Sequence, residues 1–82
     1  ALLIQRRSAV DAALVRHLKQ ARGRDAPVPL EELQQAVRAA CQRFFVPQPG
    51  EVQRRLAQLC TDGYAVRVAD PPAFVYAEAA GP

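Results

Sequence analysis

Residues 47–76, PQPGEVQRRLAQLCTDGYAVRVADPPAFVY, decide the fold. Pro47, Pro49 and Gly50 break the chain, and a helical period then places Val52, Leu56, Leu59 and Cys60 on one side. Gly63 is the natural stop for that helix. From Tyr64 the period falls to two. Tyr64, Val66 and Val68 alternate against Ala65, Arg67 and Ala69 before Asp70-Pro71-Pro72 turns the chain into Phe74-Val75-Tyr76. An isolated hairpin of this length is not stable in water, so Tyr64, Val66, Phe74 or Tyr76 is expected to lay one face on the helices.

Working upstream, Ser8 reads as the N-cap of a first helix in which Val10, Ala13, Leu14, His17, Leu18 and Ala21 recur at spacings of three and four, ending near Gly23. After a polar, proline-containing stretch, Val28 is placed in a very short strand. A second helix begins at Pro29 or Leu30. Glu31 and Glu32 lie in its first turn, where carboxylates favour the positive helix end, and Leu33, Val37, Ala40, Cys41 and Phe44 form its apolar repeat. The order is that of a winged helix. The expected class is α+β, a three-helix bundle followed by a two-stranded antiparallel hairpin as the wing, with one shared core.

Composition sets the limits. The chain of 82 residues makes one small domain that hides roughly 60% of its unfolded surface. It opens at Ala1 and closes at Gly81-Pro82, which reads as a module excised from a longer parent: an extension over 1–7, the domain over 8–78 and a tail over 79–82. No apolar run approaches the ~18 residues that span a bilayer, so no membrane partner and a soluble, intracellular location are expected. Cys41 and Cys60 fall on the apolar faces of two helices without a CxxC pair, and read as reduced core residues rather than zinc ligands or a disulfide. A net charge of +3 and a pI near 9.4 permit an acidic partner or a nucleic acid without implying either.

Lys19 is the one lysine beside ten arginines. At about 100° per residue it lies roughly 180° from Val10, away from the buried stripe of the first helix. It is thus a singular exposed side-chain amine. Once deprotonated, an amine attacks a thioester and forms an isopeptide bond, which a guanidinium does not.

Read together, Ala12-Ala13-Leu14-Val15-Arg16-His17-Leu18-Lys19 resembles the cullin C-terminal signature, whose lysine receives a ubiquitin-like modifier in neddylation. Phe45-Val46-Pro47, then Val52, Leu56, Leu59, Cys60 and Tyr64, with Arg67 three residues on, is similar to that family's Phe-x-Pro start and apolar spacing. Phe74-Val75-Tyr76-Ala77 is similar to its aromatic-x-aromatic close, so the likeness runs from about Ala9 to Ala77. The basic pair that usually follows the acceptor is displaced here, Gln20-Ala21 standing before Arg22-Gly23-Arg24, and Arg54 and Arg55 replace third-helix lysines. These departures point to one of the large atypical cullins.

The resemblance implies a non-catalytic scaffold module of a cullin-RING-type ubiquitin ligase, with Lys19 as modification acceptor and Arg16 and Arg22 flanking it. The implied partners are the modifier, its conjugating enzyme, a RING-type subunit and the rest of the scaffold. No cofactor or metal is implied, and the implied location is the cytoplasm, with the nucleus as a second compartment.

Two other classes compete. A winged helix often sets its third helix in the major groove, and Gln53, Arg54, Arg55 and Gln58 suit nucleic-acid or protein contact. Against nucleic acid, Glu51 and Asp62 flank that helix and Asp70-Pro71-Pro72-Ala73 carries no cation. The other alternative is a docking module that is never modified. Enzymatic constellations cannot be assembled around the single histidine, and His17 reads as a packing residue with a satisfied ring.

Overall fold

The computed structural model describes residues 6–69 and 71–77. They form helix α1 (Arg6–Gln20), strand β1 (Val28–Pro29), helices α2 (Leu30–Cys41) and α3 (Pro49–Thr61), and strands β2 (Ala65–Ala69) and β3 (Ala73–Tyr76). The expected tail, most of the expected extension and Asp70 of the expected wing turn lie outside the described residues.

Helix α1 begins two residues before Ser8, which therefore sits in its first turn rather than at its cap. The reason is tertiary. Arg6 donates two hydrogen bonds to Glu51 on α3, at 3.2 and 2.9 Å, and its guanidinium lies 4.3 Å from the ring centroid of Phe45. This anchor holds the extra turn.

Helix α2 buries Leu33, Val37 and Cys41, but its apolar repeat stops at Cys41. A turn follows, with the Phe44 and Phe45 N–H groups both donating to the Cys41 carbonyl at 2.8 and 3.0 Å. The turn shifts the helical register. The expectation that Phe44 belongs to the core is therefore corrected: it is 63% exposed and Phe45 packs against the core instead, while Ala40, expected in the same repeat, is exposed on α2 beside buried Cys41.

Helix α3 starts at Pro49, where a missing N–H costs nothing. It ends in a Schellman arrangement: the Gly63 N–H donates to Cys60 O at 3.2 Å and the Tyr64 N–H to Leu59 O at 2.9 Å. Gly63 carries φ of 88°, the left-handed conformation this cap requires.

The sheet has three antiparallel strands in the order β1-β3-β2, where two had been expected. Val28 and Pro29 pair with Phe74 and Ala73, adding β1 to the far side of β3. The Leu30 N–H donates to Pro72 O at 3.2 Å and ties the start of α2 to the same edge.

The inward place in β2 goes to Ala65 and not to the residues expected there. Ala65 is buried, whereas Tyr64 and Val66 are 43% and 44% exposed and Val68 also faces outward. The short turn through Asp62 and Gly63 brings β2 close against α3, so the inward place goes to a small residue, and the valines serve the strand through their β propensity. Of the aromatics expected to face the helices, Phe74 is buried and Tyr76 half-buried. Val10, Leu14, Leu18, Val28, Leu33, Val37, Val52 and Leu56 complete one core under both layers, each contributing about 1.5–3 kcal/mol of transfer free energy for its burial.

Candidate functional site

Lys19 lies in the last turn of α1 and is exposed, one residue beyond fully buried Leu18. A cation there also complements the negative end of the helix. Its ammonium does not stand alone in solvent. The Nζ atom is 5.5 Å from the ring centroid of Tyr76, the last residue of β3, and the Arg22 guanidinium is 5.6 Å from the same centroid. Tyr76 pairs with buried Ala65 across the sheet, so its ring is carried by a rigid element. Arg16, one turn before Lys19, is exposed.

The loop after Lys19 is fixed by a charge cluster. Glu32 on α2 accepts from both terminal nitrogens of Arg24, at 2.7 and 3.1 Å, and its Oε2 is 2.6 Å from His17 Nε2 on α1. Arg24 and His17 together hold the Glu32 carboxyl at a pKa of about 2. The half-buried His17 is thus a bridge between helices. Between this loop and β3 opens a cleft of about 260 Å³, floored by Leu18, Val28 and Phe74 and bordered by Arg22 and Tyr76.

The third-helix residues form a separate group. Arg55 donates to both oxygens of Asp11 on α1 at 2.8 Å each, and the Gln58 side chain donates to Asp62 at 3.0 Å. Both are occupied within the fold, while Arg54 is exposed. Sequence reasoning named Arg55 and Gln58 for outside contacts because spacing along one helix does not reveal partners brought from other elements. It also missed Tyr76 as the neighbour of Lys19, and Arg6 as an anchor, for the same reason.

Cys41 and Cys60 are free thiols, and burial pushes both above the ordinary thiol range. Among the described residues no group of three His, Cys, Asp or Glu side chains is placed to hold a metal, and no helix is long and apolar enough to cross a membrane. Compared with known proteins, the chain matches no family model, no curated protein and no solved structure.

Proposed function

We propose that this domain is a winged-helix module of a cullin-RING-type ubiquitin ligase, non-catalytic itself, and that Lys19 accepts a ubiquitin-like modifier. The observation that carries the reading is the single lysine amine of the chain, exposed at the end of α1. Support for the fold comes from the element order α1-β1-α2-α3-β2-β3 and the sheet order β1-β3-β2. The cullin-like run through Arg16 and Lys19 supplies the rest.

The chemistry asks little of the domain. The transferring machinery supplies the base that frees the Lys19 nitrogen for attack. The Lys19 nitrogen then attacks the thioester carbonyl, the C–N bond forms, the C–S bond breaks, and the nitrogen's second proton goes to the departing thiolate, which leaves as the thiol of the conjugating enzyme. The domain contributes a nucleophile and a surface, with Arg16 and Arg22 flanking the amine to attract an acidic partner.

A docking role without modification is the second reading, favoured by one observation. Tyr64, Val66, Val68 and Val75 leave an apolar strip on the outer face of the sheet. Nucleic-acid binding through α3 is disfavoured by the engagement of Arg55 and Gln58 inside the domain.

Conjugation in vitro on the parent protein, wild type against Lys19→Arg, separates these readings. Loss of the shifted band in the variant supports the acceptor role. A band that survives the substitution, or none with wild type, overturns it.

A further inference from the structure

A concavity of about 490 Å³ lies between the first turn of α1 and α3, lined by Arg7, Glu51, Arg54, Arg55 and Gln58. With Arg6, which bonds Glu51 beside it, four arginines gather around this groove. Direct ion pairs engage two of them, Glu51 with Arg6 and Asp11 with Arg55, while Asp62 also acts on Arg55 and Glu51 also feels Arg54. Among the described residues neither Arg7 nor Arg54 has an ion-pair partner, and both are exposed. Two guanidiniums thus stand outside the direct ion pairs of the described residues, and the groove keeps a net positive charge. Arg55 moreover pairs with Asp11 through Nε and Nη2, which leaves Nη1 outside that pair.

We propose that this groove binds a phosphate monoester, as carried by a phosphorylated serine or threonine segment. A phosphomonoester carries about −1.5 to −2 charge near neutral pH, which favours it at a groove of net positive charge, and guanidinium forks from Arg7 and Arg54 suit its oxygens bidentately. A nucleic-acid backbone fits less well. It needs a stripe of cations, whereas here Glu51 and Asp62 interrupt the surface, Gln58 is held by Asp62 and the turn after β2 has no cation. The neutralised pairs Arg6–Glu51 and Arg55–Asp11 act as walls, since their removal would unsettle the junction of α1 with α3.

The experiment is a titration of the 82-residue chain, followed by NMR of the arginine Nε–H and backbone amides. The probes are inorganic phosphate, a short glycine-flanked phosphoserine peptide, its unphosphorylated form and a short DNA duplex. Saturable shifts at Arg7, Arg54 and Arg55 with phosphate and phosphopeptide, absent with the unphosphorylated peptide, are expected. Arg7→Ala and Arg54→Ala each weaken phosphopeptide binding ~tenfold, as the loss of one charge-assisted contact, with thermal stability kept and with Arg54→Lys in between. Lys19→Arg leaves binding unchanged, so the result stands apart from the acceptor reading. No shift at these arginines, equal shifts with chloride, or tighter and steeply salt-dependent binding of the duplex each overturns the proposal.

Discussion

The Lys19 ammonium rests 5.5 Å from the ring centroid of Tyr76, so the last turn of α1 meets the last residue of β3 through a cation and an aromatic face. At exposed sites such a contact is worth about 0.5–1 kcal/mol, a factor of about two to five in how often the amine leaves the ring. Tyr76→Leu should therefore raise acylation of Lys19 by a small amine-reactive ester by about that factor, read by peptide mass spectrometry. Tyr76→Phe, which keeps the ring, should match wild type. Equal rates for Leu and Tyr would mean the contact does not form in solution.

Acid should loosen the α1–α2 bridge in a defined window. Arg24 and His17 hold Glu32 ionised down to about pH 2, against an ordinary value of 4.5. Between those values the unfolded chain binds the extra proton, so this contribution is present above about 4.5 and is lost as pH falls toward 2. Glu51, lowered chiefly by Arg6, has the same sign. Glu32→Gln should melt lower than wild type at neutral pH, and the gap should close on acidification through that window in circular-dichroism melts.

Leu56, fully buried on α3, tests the core. Leu56→Ala should cost about 2–5 kcal/mol and lower the melting temperature by about 10 °C or more. An unchanged transition would contradict the packing.

Neighbouring arginines on α3 should behave oppositely. Arg55→Ala leaves the half-buried Asp11 without its partner and should lower the melting temperature, whereas exposed Arg54→Ala should stay within about 3 °C of wild type. Equal effects would show that the Arg55–Asp11 pair does not join the two helices.

Gly63→Ala places a side chain at φ of 88°. The added Cβ meets nothing within 4 Å, so the cost is that of the backbone, about 1 kcal/mol, measurable by denaturant titration.

The helices were legible because their signals are local. Pro47 breaks the chain before α3, Pro49 and Gly50 stand in its first turn, Gly63 ends it, and the spacing from Val10 to Lys19 is enough to put that lysine on the exposed side. The phase of β2 was not legible. Alternation separates Tyr64, Val66 and Val68 from Ala65 and Arg67 without saying which set faces α3, and in the fold it is Ala65 that is buried. Nor does any spacing rule connect Asp11 with Arg55, 44 residues apart, or Lys19 with Tyr76. The exposure of Lys19 could thus be read from one helix, but its aromatic neighbour needed the sheet.

Strand β1 is only Val28 and Pro29, and it forms one margin of the sheet. Proline has no amide hydrogen, so this margin presents at most one donor to a strand arriving from another copy. Cross-β accretion finds only a two-residue, donor-poor template there. The same two residues that complete the ladder also limit its growth on that side.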